Sequence, residues 1–158
     1  MIILAIDPGF ERIGIAVIQK NKGEKEKLLH SECFKTKKEW DFADRLLAIE
    51  RRVSEVCVEY KPEILCIESL FMGVNVKTGI QVAHARGVII ATARGNGLEI
   101  HEYTPLQVKV AVTGYGKSDK KAILDMVPRI IAYDKKISSD DEIDAIAIGL
   151  TGVAHLHL

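Results

Sequence analysis

Apolar positions along the chain follow two rhythms: short, nearly unbroken runs, and longer stretches in which they recur every three or four residues. The first run, residues 2–6, is β-branched, too short for a helix and typical of a buried strand. It stops at Asp7, Pro8-Gly9 make a turn, and a second run predicts a strand over 13–20. Asn21-Lys22-Gly23 turn the chain again into a third, less regular strand over 28–35. Connections this short permit only antiparallel neighbours, so the opening third reads as a three-stranded meander.

From Trp40 the period changes. Ala43, Leu46, Leu47, Val53, Cys57 and Tyr60 recur at helical spacing, Asp44, Arg45, Arg51, Arg52 and Glu55 are expected on the other face, and Lys61-Pro62 ends the helix. Residues 64–67 are another buried-strand run, and it too stops at an acid, Glu68. Residues 78–94 predict a helix rich in small residues, suited to close packing on another helix within the domain or across a dimer. Gly95-Asn96-Gly97 stop it, and 98–103 form a fifth strand.

Thr104-Pro105-Leu106-Gln107 is a capping box with proline at the first helical position, opening a helix to about residue 112. Ser118 is the expected cap of a helix running to about 127, where Pro128 ends or kinks it. Ser139-Asp140-Asp141-Glu142 reads as a second capping box and opens the last helix. The order βββαβαβααα predicts an α/β domain spanning 1–158: a mixed five-stranded sheet, antiparallel meander plus parallel strands, flanked by helices.

Composition narrows the class. At 158 residues the chain can bury roughly two-thirds of its unfolded-state surface. No apolar run approaches the ~20 residues of a membrane helix, and no basic leader precedes a signal-like core. A cytoplasmic protein with no membrane attachment is expected. Cys33, Cys57 and Cys66 are odd in number and lack a CxxC pair, which suits reduced thiols. Lys plus Arg and Asp plus Glu number 22 each, so attraction to a polyanion must be local.

The two strand-end acids are the candidate chemistry. A charged carboxylate ending a buried strand is costly unless backbone N–H groups or a cation compensate it. A strand, a helix and a further strand should place the fourth strand parallel to one of the first sheet. If that neighbour is the first strand, Asp7 and Glu68 lie side by side, about 4.8 Å apart between strands. Asp140, Asp141 and Glu142 suit the first turn of the last helix, where acids complement the macrodipole. Asp144 lies beyond that turn and shares a face with Asp141. Laid over the sheet edge, that face would bring Asp7, Glu68, Asp141 and Asp144 together. Such hard oxygen ligands suit Mg²⁺ or Mn²⁺ rather than zinc, and paired ions about 4 Å apart serve phosphodiester cleavage.

The segments IDPGFERIGIAVI, IESLFMGVN, QVAHARGV, QVKVAVTGYGKSDK and DEIDAIAIGL, in this order and spacing, resemble the RuvC family of Holliday-junction resolvases. The resemblance implies an RNase H-like fold and a homodimer making paired, symmetric, Mg²⁺-dependent nicks in four-way DNA junctions during recombination and repair. It implies 5′-phosphate and 3′-hydroxyl ends, two Mg²⁺ ions per site with Mn²⁺ able to substitute, and RuvA and RuvB as possible branch-migration partners. By position it implies a catalytic tetrad of Asp7, Glu68, Asp141 and Asp144, a base-wedging Phe71, and DNA-contacting Lys109 and Lys120. Where the family often has small residues between its final acids, this chain has Glu142-Ile143, and Glu142 is expected to face solvent.

Lys109, Lys117, Lys120 and Lys121 cluster around a glycine turn at a helix N-terminus that can present N–H groups to phosphate. An exposed Phe71 could stack on or wedge between bases, and Asn75 and Arg86 are secondary DNA-contact candidates. His155 and His157 read as structural or exposed. Three rivals remain: a phosphate loop in AVTGYGKS, an actin-like ATPase built on the first acid-Gly turn, and a junction-binding module without catalysis. The first needs a strand where the TPLQ box predicts a helix, and the second needs a further half-domain.

Overall fold

The computed structural model describes residues 1–69, 76–131, 133, 137 and 139–156. Ten elements follow the expected order: β1 (Ile2–Asp7), β2 (Arg12–Gln19), β3 (Lys27–Lys35), α1 (Phe42–Tyr60), β4 (Ile64–Glu68), α2 (Val76–Gly95), β5 (Glu99–Tyr103), α3 (Pro105–Thr113), α4 (Lys120–Ile130) and α5 (Asp140–His155). They form one five-stranded sheet in the order β3-β2-β1-β4-β5. The β1–β2 and β2–β3 pairs are antiparallel, whereas β4 joins β1, and β5 joins β4, in parallel.

Strand alternation sorts the side chains into two cores. Leu4, Ile6, Ile13, Ile15, Val17, Leu65 and Ile67 pack on one face with Ile49 and Val53 of α1 and Ala85 and Ile89 of α2. Ile3, Ala5, Ala16, Ile18, Ile64 and Cys66 pack on the other with Val108, Ile123 and the apolar face of α5. Continuing the period of two, Asp7 follows Ala5 and Glu68 follows Cys66, so both acids leave the sheet on the α5 face.

Helix α5 lies unusually close to that face, because glycines stand where the backbones meet. A Cβ on Gly14 would come within 2.0 Å of the Asp141 carbonyl oxygen, and one on Gly152 within 2.3 Å of Cys66 Sγ. The first turn of α5 is thereby pressed against β2 beside Asp7, whose register partner is Gly14.

Helix ends follow their caps. Thr104 and Gln107 make the reciprocal capping box of α3, and Lys61 in the left-handed region closes α1. Because α3 occupies the stretch before Gly114, the strand a phosphate loop needs there is absent.

Five expectations need correction. Asp119, not Ser118, caps α4, its carboxylate accepting from the Ala122 N–H at 2.9 Å, while the Ser118 hydroxyl pairs with that of Thr113. A charged cap complements the helix N-terminus better than a neutral hydroxyl. Helix α4 continues past Pro128 to Ile130, although the proline forfeits the bond to the Leu124 carbonyl and crowds that oxygen, so the helix ends three residues beyond the expected 127. Within α1, Leu47 is exposed and Arg45 is buried, because the inward stripe is Arg45, Ile49, Val53, Val56 and Cys57.

The second capping box is half made: Ser139 Oγ accepts from the Glu142 N–H, but the Glu142 carboxylate turns elsewhere. Glu142 does not face solvent; it is 1% exposed and accepts a 2.7 Å bond from Ser31 Oγ on β3. His155 is structural, its ring packed near Tyr103 and its Nδ1 3.0 Å from the Thr151 carbonyl. His157 lies outside the described residues.

Candidate active site

The parallel β1–β4 pairing runs through Ile6 and Ile67, so Asp7 and Glu68 follow as neighbours at one carboxyl edge. Beside them α5 delivers Asp144, and α3 and α4 close the other side. Together Asp7, Glu68, Asp144, Lys109 and Lys120 line one cleft of about 290 Å³. The sheet edge and the last helix therefore converge as the sequence pattern anticipates.

The fourth acid stands slightly apart. Asp141 does not line that cleft; its Oδ2 accepts from Arg12 Nε at 2.9 Å, from Arg12 Nη2, and from the Cys33 thiol at 3.3 Å. Asp144 is bonded by Lys120 Nζ at 3.1 Å, which also reaches Asp140 at 3.4 Å. As the side chains stand, no three acid, histidine or cysteine side chains among the described residues close around an ion-sized position. Arg12 and Lys120 hold two of the four acids instead.

The electrostatics show what the cleft lacks. Burial, then the charges of Asp144, Glu68 and Asp141, push Asp7 up to about 7, and Lys120 opposes them. Burial and Asp144 raise Glu68. Burial also raises Asp144, against the pull of Lys120. Asp141 differs: burial pushes it up, but the hydrogen bonds from Arg12 and Cys33 outweigh that and hold it low. An all-carboxylate donor set short of positive charge fits a hard divalent cation.

Other anticipated residues fall variously. Lys109 and Lys120 line the cleft, whereas Lys117 and Lys121 are exposed nearby and are not among its lining residues. Arg86 turns inward, donating from Nε to the Glu68 carbonyl at 3.0 Å and pairing with Glu102. It braces the end of β4 below Glu68. Phe71 and Asn75 lie outside the described residues.

Three contributors escaped the sequence reading. Arg12 grips Asp141, and its alternation with Gly14 and Ala16 was the available sign that it shares the α5 face. Arg45 donates to Thr36 Oγ1 at 2.8 Å and to the Phe10 carbonyl at 3.4 Å, with its guanidinium 4.0 Å from the Phe10 ring centre. It thus clamps the turn that follows Asp7, and its four-residue spacing from Ile49 was the sign. Cys33, read only as a thiol, touches Asp141.

Comparison with known proteins settles the class. The family model described as crossover junction endodeoxyribonuclease RuvC matches residues 3–152. The chain belongs to the RuvC family. It is 40% identical over 157 residues to the crossover junction endodeoxyribonuclease RuvC of Alkaliphilus oremlandii, covering 99% of this chain and 93% of that one. The RuvC of Petrotoga mobilis is 40% identical over 147 residues, 93% and 90% of the two chains. Among solved structures, Thermus thermophilus RuvC in complex with Holliday junction substrate superposes with a TM-score of 0.92 at 30% identity, covering 99% of this chain and 94% of that one. The fold is accordingly RNase H-like, and the chain is a metal-dependent nuclease of the Holliday-junction resolvase class. No helix of the described residues is long and apolar enough to cross a membrane.

Proposed function

We propose that residues 1–158 form one cytoplasmic nuclease domain that resolves four-way DNA junctions, with Asp7, Glu68, Asp141 and Asp144 holding two Mg²⁺ ions, replaceable by Mn²⁺. The convergence of Asp7, Glu68 and Asp144 in one cleft supports this reading most directly. Held there, the ions would supply Lewis acidity to a water and to the departing 3′ oxygen, the chemistry that leaves 5′-phosphate and 3′-hydroxyl ends.

The chain's own residues do the rest. Asp7 and Glu68 are fixed by adjacent strands and α5 aims Asp144, so the donors are preorganised by backbone rather than by flexible loops. Lys109 and Lys120, on the rim opposite the sheet edge, orient the phosphodiester by charge. Lys117 and Lys121 extend that basic surface along the DNA backbone. Phe71, three residues beyond Glu68 in sequence, wedges between bases at the branch point, and Asn75, four residues further on, is a second DNA contact. Arg86 supports the Glu68 strand end rather than reaching DNA itself.

A four-way junction is roughly two-fold symmetric, so a C2 homodimer presents two identical sites to opposed strands. Helix α2 is the proposed dimer face, and RuvA and RuvB are the proposed branch-migration partners.

The test is a synthetic four-way junction beside a linear duplex of the same sequence, with Mg²⁺. Symmetric paired nicks with ligatable ends, confined to the junction, are expected. Tight junction binding without nicking would contradict the reading and favour a binding module.

A further inference from the structure

Arg12 is the cation at the site for which the proposed cleavage has no use. It opens β2 on the α5 face, where Gly14 brings the Asp141 backbone against the strand. Its Nε and Nη2 both donate to Asp141 Oδ2, the same oxygen that Cys33 reaches. It lies outside the cleft of Asp7, Glu68 and Asp144, and lines an adjoining cavity with Ser31, Cys33 and Glu142 instead. The contacts on Asp141 therefore pull its carboxylate toward β3, away from the other three acids.

We infer that Arg12 is a positioning residue that holds Asp141 off the metal position and releases it when metal loads. This rests on the four-acid reading above. The pair suits such an exchange: the Arg12 side chain is 51% exposed and that of Asp141 23%, so water can take over the guanidinium as it leaves. Exposed ion pairs of this kind are weak, whereas a divalent cation shared by several carboxylates gains from each of them. Lys120 plays a different part, because it lines the cleft itself and stays beside the reacting groups.

The consequence is competition between Arg12 and the metal for one carboxylate. Mn²⁺ titrated into the DNA-free protein by calorimetry tests it without reference to cleavage. Arg12→Gln should bind Mn²⁺ about threefold more tightly than wild type, the scale of a weak surface pair. Arg12→Lys keeps a charge but loses the two-donor grip, and should fall between. Lys35→Gln removes a cation from the cross-strand partner of Arg12 without touching Asp141, and should leave the affinity unchanged. Asp141→Asn should weaken binding.

Unchanged or weaker binding by Arg12→Gln overturns the inference, as does an equal gain in Lys35→Gln, which would mark a general charge effect. If Asp141→Asn binds as wild type does, the four-acid reading fails and the inference with it. If Asp141→Asn weakens binding while Arg12→Gln does nothing, the inference alone fails.

Discussion

At the scale of single residues the site is governed by Asp7, the most perturbed of its acids. Its folded pKa of about 7 stands above the unfolded value of 3.8, so between those limits the folded state holds a proton that the unfolded chain has lost. Stability then falls as pH rises through that window and levels off above 7. The span corresponds to roughly 4 kcal/mol as an upper bound, since neighbouring acids share the effect. In chelator-treated protein, urea midpoints should therefore decline from pH 4 to 7 in wild type and decline less steeply in Asp7→Asn, where the raised Glu68 and Asp144 still contribute. A flat wild-type profile would contradict the crowding of Asp7 by its neighbours. The same crowding makes a bound cation favourable, which ties this stability cost to the proposed chemistry.

At the scale of elements the site depends on how closely α5 sits on the sheet and how firmly α1 holds the first turn. Gly14→Ala drives a Cβ into the Asp141 carbonyl. Overpacking of this kind costs about 1–3 kcal/mol, and here it also displaces Asp141 from β2. Loss of cleavage together with a lowered melting temperature is expected; a neutral variant would show that the contact is not tight. Arg45→Ala removes two hydrogen bonds and a ring contact from the turn after Asp7. A destabilisation of about 2 kcal/mol in urea unfolding is expected.

These elements also show where the sequence is legible. Asp7, Glu68 and Asp144 could be anticipated because each interrupts an apolar run whose period names its face. Arg45 and Glu142 were misassigned for the converse reason: a charged side chain looks solvent-facing until its partner is seen, Thr36 just past the end of β3 for Arg45 and Ser31 on the distant strand β3 for Glu142. The Asp119 cap was missed because adjacent Ser and Asp are both good caps, and only the Thr113–Ser118 bond separates them. The grip of Arg12 on Asp141 joins residues 129 positions apart, and no local pattern encodes its strength.

At the scale of the whole molecule the question is how one acidic cleft serves a two-fold substrate. The protein is neutral overall; if the lysines proposed beside the cleft supply junction affinity, that affinity should fall steeply with salt. Sedimentation velocity at micromolar concentration should show a dimer; monomer alone would remove the physical basis for paired nicks. The central claim is that four carboxylates from three elements form one metal-dependent cutting site. Its most direct test compares wild type with Asp7→Asn, Glu68→Gln, Asp141→Asn and Asp144→Asn on a four-way junction with Mg²⁺, following binding and nicking in the same samples. Each variant should bind the junction while cutting more than about 100-fold more slowly, since even outer-shell changes at metal sites cost 10- to 100-fold. Wild-type cutting by any one of the four would remove that residue from the site, and by Asp7→Asn would overturn the account.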